Sequence, residues 1–375
     1  MNTRRVVDRC INIGMRRFIT LLTIAIALSV SVELAQSPAS GPYRVLKTAK
    51  VGGTGGFDYV YADVSGRRLY IPRGGTAATA TAAAIPGRVT VFDLDTLAPV
   101  GEIANTRGNG AAVDPRSGHG FASSKPVAMW DTKTLALIKT IDVAGNPDGI
   151  LFDAFNDRVY VFSHAAPHVT VIDSKEGAVL GTVDLGGAPE QAVTDGKGRI
   201  FVDVSDKGNV AVIDAKTMAV TAHYDLGGKG EGLAGLALDS RNHVLFVAAR
   251  LPAPGVMVML NADDGKILST LPLAGSSDGA VFNPATGEAF SSSGQGDGTL
   301  TIVKEESPTS FVVEQNLKTM SGAKTLTLDS KTNHVLLIGA EYVAAPPPAT
   351  PPPAGGRGPA RTMVPDSFSI VVVGK

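Results

Sequence analysis

Four carboxylates occupy one recurring position in this chain. Asp58 in "GFDYVYAD", Asp148 in "NPDGILFD", Glu190 in "APEQAVTD" and Asp278 in "SSDGAVFN" each stand five residues before an Asp or Asn that opens a turn. Counting back five from every such turn residue gives Asp58, Asn109, Asp148, Glu190, Ala234, Asp278 and Lys324. Acids brought together raise one another's pKa unless a cation or Lys and Arg side chains compensate them. Gathered at one place, they would suit a basic ligand, or a divalent cation that polarises a carbonyl and activates water. The same acids also have an architectural use, accepting backbone N–H bonds where one structural unit meets the next.

The elements that must position them follow from the turn residues. Asp63, Asp114, Asp153, Asp195, Asp239, Asn283 and Asp329 recur about every 40–50 residues with only β-type patterning between them, the signature of propeller blades. Each unit reads as an apolar strand, an Asp/Asn turn, a second apolar strand, a loop, and a third strand such as "VTVFDLDT", "VTVIDSKE" or "VAVIDAKT". A fourth strand such as "AVLGTVDL" follows. Asp93, Asp131, Asp173 and Asp214 end the third strands in D-x-x-T/G turns, where a side-chain oxygen caps nearby N–H groups, so their role is structural.

Seven units are countable, and the last is one outer strand short. "YRVLKTAKVGG" (Tyr43–Gly53) stands alone ahead of the first and supplies the missing strand. The expected fold is therefore all-β: a seven-bladed β-propeller of four-stranded blades, 43–375, with its last blade closed by the N-terminal strand, which also removes an exposed sheet edge. In such a ring the first strand of every blade starts beside the central channel, so the counted positions converge on one channel mouth. The second strands end at the same face and bring Arg73, His164, Arg250 and Glu341 close. The candidate ligand-binding set is Asp58, Asp148, Glu190, Asp278, Lys324, Arg73, Arg250 and His164, and a divalent cation is a possible companion. His164 and His168, the only histidines close in sequence, lack a partnering acid motif and form a weak metal signal by themselves.

Composition narrows the function. The 375 residues are 44% hydrophobic and 18% charged, with 43 glycines and a formal charge of −1, which gives no electrostatic reason to expect a nucleic-acid partner. "MRRFITLLTIAIALSVSV" (Met15–Val32) joins two arginines to a short apolar run, the pattern of a secretory signal within 1–36. Its length falls short of a spanning helix, so the mature chain is expected to have no transmembrane segment and to be periplasmic or secreted, as a monomer. Its removal takes five arginines and two acids, leaving 29 basic and 33 acidic residues, and it takes Cys10, the single cysteine, so no disulfide is expected. Long insertions at 74–87 and 344–365, the latter Pro-rich, leave the same face and read as a raised flap or as tolerated loops.

The segments "FDYVYADVSGRRLYI", "APEQAVTDGKGRIFVDVSDKGNVAVIDAKT" and "DGAVFNPATGEAFSSSGQGDGTLTIVKE", with the Pro-rich loop before "MVPDSFSIVVVGK", resemble the YVTN-type β-propeller family, in its exported YncE-like branch. The resemblance implies a seven-bladed propeller outside the cytoplasm and little about activity. Single-stranded DNA binding is associated with one member of the wider family, but no basic groove with interleaved aromatics is present here. "GNGAAVD" and "EGLAGLALD" depart from the acid-first pattern.

Two functions from different classes remain. One is a binding or interaction protein presenting a polar channel mouth to a small ligand, cation or protein partner. The other is a metal-assisted, lactonase-like hydrolase using the channel carboxylates. The first is preferred, because no nucleophile–base pair is visible and "GSSDG" (Gly275–Gly279), which matches G-x-S-x-G by letter, is followed by a strand where a nucleophile elbow needs a helix. Trp130 lies in a third strand, away from the channel, which argues against a quinone-cofactor dehydrogenase.

Overall fold

The computed structural model of the protein describes residues 40–78, 83–344 and 361–375. The expected signal segment lies outside them, as do the tip of the first long loop and the Pro-rich part of the flap. The described residues form strands and turns with no helix, and none is therefore long and apolar enough to cross a membrane.

Seven four-stranded antiparallel sheets make the ring. Blade three shows the pattern, running outward as Pro147–Asp153, Arg158–Ser163, Val169–Asp173 and Val179–Val183. The other blades span 61–103, 108–141, 189–225, 231–272 and 280–318, and the seventh is built from both ends of the chain. In that last blade Lys324–Asp329, His334–Gly339 and Ser369–Gly374 are followed on the outside by Arg44–Lys50, paired antiparallel from Arg44 opposite Gly374 to Lys50 opposite Ser369. The N-terminal strand closes the ring as its isolated position in the sequence predicts.

Strand alternation explains the core. Along Arg199–Val204, Ile200 and Val202 face blade three while Phe201 faces blade five, so both sheet faces bury apolar side chains. The result is seven apolar clusters, one at each blade junction, from Leu69 and Ile71 against Leu336 and Ile338 at the closure to Phe246 and Ala289 between blades five and six. Each fully buried Val, Leu, Ile or Phe contributes about 1.5–3 kcal/mol, so the junctions hold the ring. Trp130 is buried against Tyr70 between blades one and two, 5.7 Å between ring centroids, away from the channel as expected.

The D-x-x-T/G turns behave as their sequence predicts. Asp93 Oδ1 accepts from Asp95 N, Thr96 N and the Thr96 hydroxyl, and Asp131 repeats the set with Lys133 and Thr134. The inner turn residues have a further role that the sequence did not disclose, because they stitch blades on the face opposite the mouth. Ser174 donates to Asp114 Oδ2 at 2.7 Å, Thr194 to Asp153 Oδ1 at 2.8 Å, and Arg67 grips Asp329 with two bonds of 2.8 Å.

The flap needs a correction. Residues 344–365 were expected to be one loop, but Tyr342–Ala344 pairs with Arg361–Met363 as a short ribbon, so the insertion is a hairpin with an ordered stem. Alternating Tyr342, Val343, Thr362 and Met363 favour extended backbone, and Val364 N donates to Glu341 O to anchor the base. In the other insertion, Thr76 and Ile85 exchange two backbone bonds and close the loop's base.

Candidate functional site at the channel mouth

A local irregularity aims the counted residues into the mouth. In five blades the pairing of the first and second strands slips at the counted position, between Gly108 and Ala111, Pro147 and Ile150, Pro189 and Ala192, Leu233 and Gly235, and Lys324 and Leu326. Such bulges redirect a side chain without ending the strand. The glycines that follow let neighbouring inner strands approach closely: a Cβ at Gly235 would lie 2.7 Å from the Gly279 carbonyl carbon, and Gly279 itself has φ +131°.

The predicted residues meet as one unbroken polar chain. Asn109 Nδ2 donates to Asp148 Oδ1 at 2.6 Å. His164 Nε2 lies 3.3 Å from both Asp148 Oδ2 and Glu190 Oε2. Arg250 Nη2 stands 3.6 Å from Glu190 Oε1 and 3.1 Å from Asp278 Oδ1. Lys324 Nζ then bridges Asp278 Oδ2 and Asp58 Oδ1, each at 3.1 Å. Acids and bases alternate from blade two to blade one, so the mutual repulsion of four carboxylates is compensated by side chains of the protein itself.

Arg73 does not join them. It is 1% exposed, donates from Nε and Nη2 to Gly55 O, and lies 3.7 Å over the Phe368 ring. Burial pushes its guanidinium down to about 10. Its stem follows the apolar closure between blades seven and one, and cation–π contact compensates the buried charge there, so its part is structural and it leaves the candidate set.

Electrostatics divide the ring into two halves. Hydrogen bonds to Asp148 and then Glu190 raise His164 to about 10, so the imidazolium persists through neutral pH. Burial raises Asp58 to about 6, against the lowering effect of Lys324. Burial opposes the charge on Lys324, but Asp278 and Asp58 hold it above its ordinary range. The blade three and four side therefore carries two acids and one cation. On the blade five to seven side, Arg250 and Lys324 flank a single acid, Asp278, and Lys324 is shared with Asp58.

The acids do not use backbone N–H groups of adjacent blades, the architectural role the sequence allowed: among the described residues none of Asp58, Asp148, Glu190 and Asp278 accepts one. Second-strand side chains that sequence reasoning passed over hold the backbone N–H groups at the bulges instead, each within its own blade. Asp203, fully buried, accepts Glu190 N at 3.2 Å and Gln191 N at 2.6 Å, and burial raises it to about 8. Ser123 takes the same place in blade two, accepting Gly110 N and donating to Asp148 O. Tyr59 crosses from blade one to donate to Glu190 O at 2.7 Å, and Gln191 Nε2 reaches Ala280 O at 2.8 Å. Tyr59 and Gln191 thus span the channel beneath the ring and give the mouth a floor.

Of the two histidines close in sequence, His168 turns away to Asp184 and the Leu185 N–H, while His164 alone enters the ring. Beside the ring a cavity of about 310 Å³ is lined by Arg250, Ser277, Asp278, Gln295, Lys324 and Tyr342. The Tyr342 ring at its lip is 40% exposed, so an apolar surface borders the charges.

Comparison with known proteins supports the architecture. The chain is similar to a chain in the crystal structure of the mitotic checkpoint complex, with a TM-score of 0.64 and 11% identity over 90% of this chain and 96% of that one. It is also similar to the β-propeller domain of Cps50 (Swd1) from Myceliophteria thermophila, with a TM-score of 0.62 and 13% identity over 88% and 99%. The fold is a seven-bladed β-propeller. At these identities the likeness is one of fold alone, and no protein-family model and no curated relative matches the chain.

Proposed function

We propose that this propeller is an exported binding protein whose channel mouth takes a small carboxylate-bearing ligand on its blade five to seven side. The observation that carries the reading is Arg250 and Lys324 flanking Asp278 at 3.1 Å each, at the edge of a cavity of about 310 Å³. A guanidinium and an ammonium offer eight N–H donors between them, more than their partners consume. A ligand carboxylate would draw on the remainder, with Ser277 and Gln295 as neutral partners and the Tyr342 ring against its apolar part. Membership of the exported YncE-like branch is part of the same proposal and rests on the sequence segments quoted above, and export rests on Met15–Val32.

Isothermal titration of the purified chain with benzoate and with benzylamine tests the polarity of the site. Benzoate is expected to bind and benzylamine not to. Binding of the amine alone would place the ligand charge the other way round and refute the reading. The runner-up, metal-assisted hydrolysis, draws its support from the convergence of Asp148, His164 and Glu190 on the other side of the ring.

A further inference from the structure

We propose that Asp148, His164 and Glu190 form a three-ligand site for a divalent transition metal of the zinc type, with its fourth position open to solvent. This stands apart from the carboxylate reading, since it uses the opposite half of the ring. One ligand atom from each residue lies within 4.8 Å of the other two, and His164 Nε2 is 3.3 Å from each carboxylate oxygen. Zinc binds N and O ligands at about 2.0–2.1 Å in a tetrahedron, which sets neighbouring ligand atoms roughly 3.3–3.4 Å apart. Both His–acid edges already have that length, so a metal would enter with small side-chain adjustments and take the place of the Nε2 proton that the acids now share.

The surroundings are those of a built site. Asp148 is buried, and its second oxygen is held by Asn109 Nδ2 at 2.6 Å, which fixes which oxygen faces His164. Glu190 Oε1 faces Arg250 at 3.6 Å, leaving Oε2 for the site. Such outer partners orient metal ligands and tune their basicity. Directly behind the Glu190 backbone, fully buried Asp203 holds the Glu190 and Gln191 N–H groups with Oδ1, while its Oδ2 has no partner among the described residues. His164 and Glu190 also line a cleft of about 750 Å³ with Ser205, Asp206 and Lys207, wide enough for water or a ligand oxygen beside the site.

One imidazole and two carboxylates favour zinc, cobalt or manganese over calcium and magnesium, which take oxygen ligands. Titration of the chelator-stripped chain with zinc chloride should give one site, and cobalt chloride should give the visible bands of a low-coordinate ion. His164→Gln should weaken zinc binding more than 100-fold, exceeding the roughly 10–100-fold expected for Asn109→Ala, which removes only an outer partner. His168→Ala, at the separate His168–Asp184 pair, should bind as wild type. Apo melting curves verify that each variant folds, and His164→Gln decides if Asp148→Asn does not, because His164 is the most exposed of the three. Failure of the wild type to bind zinc, or equal binding by His164→Gln and Glu190→Gln, overturns the proposal.

Discussion

Lys324 Nζ lies 3.1 Å from Asp58 Oδ1, joining the last blade of the ring to the first at the channel mouth. The pair closes on the charged side the junction that Leu69, Ile71, Leu336 and Ile338 close in the core. Lys324→Met leaves Asp58 without its cation. Both side chains are about one-third exposed, so the expected loss is only about 1 kcal/mol. The pH dependence is more telling. Burial raises folded Asp58 to about 6 from 3.8, so its contribution is full below the unfolded pKa and falls as pH rises through 6. Removing Lys324 pushes the folded pKa higher, so urea melts should show a larger defect at pH 8 than at pH 5. An equal defect at both would mean that the pair is electrostatically idle.

Deleting 43–53 should collapse cooperative unfolding rather than trim a tail. Tyr43 exchanges bonds with Gln315 through both backbone N and O and donates from its hydroxyl to buried Glu288, and Arg44–Lys50 covers the Ser369–Gly374 edge. The deletion orphans those polar groups and opens a sheet edge. A melting temperature within about 1 °C of wild type, roughly 0.7 kcal/mol for a domain of this size, would refute the closure.

Replacing 345–360 by a short Gly/Ser linker, with the Tyr342–Ala344 and Arg361–Met363 stem retained, should leave stability within about 0.5 kcal/mol, as for surface changes generally. Extending the deletion through Asp366 should cost more, because Asp366 Oδ1 accepts Gly53 N at 3.1 Å. Denaturant melts of the two variants distinguish stem from loop, and equal stability would show that the stem carries no structure.

Glu305, buried between blades five and six, offers a second pH test away from the mouth. Burial raises it to about 7 from 4.5, although Asn242 Nδ2 bonds it at 2.7 Å. The raised folded value means stability that is full below pH 4.5 and is lost as pH climbs through 7. Glu305→Gln keeps the shape without the charge, so it should be more stable than wild type at pH 8 and should flatten the pH profile between 4.5 and 7. A profile unchanged by the substitution would rule Glu305 out as its source.

The ring, the blade count and the N-terminal closure were legible because a period of 40–50 residues converts one-dimensional spacing into a common position around an axis. Arg73 fell outside that logic: its register placed it at the mouth, but a long apolar stem beside Phe368 made burial the lower-energy choice. Tyr59 and Gln191 carried a signal that went unread. They directly follow ring residues, where four other blades have Gly110, Gly149, Gly235 and Gly279, and a large polar side chain in a series of glycines marks a residue that crosses the channel. Asp203 gave no such sign, since one acid in "IFVDV" looks like an ordinary strand residue until the bulge it satisfies is seen. The flap stem was hidden because three-residue strands flanking a Pro-rich insertion carry too short an alternation to register.

The central claim, that Arg250 and Lys324 form an anion subsite held in check by Asp278, is tested most directly by titrating benzoate into the wild type, Arg250→Met and Asp278→Asn. Asp278 competes with a ligand carboxylate for the same two cations. Asp278→Asn should therefore bind benzoate at least about tenfold more tightly, a gain of about 1.4 kcal/mol, while its own stability falls by about 1 kcal/mol through the lost ion pairs. Arg250→Met should lose the binding. If Asp278→Asn binds no better than wild type and Arg250→Met binds as well, the ring is a tie between blades and the binding account is wrong.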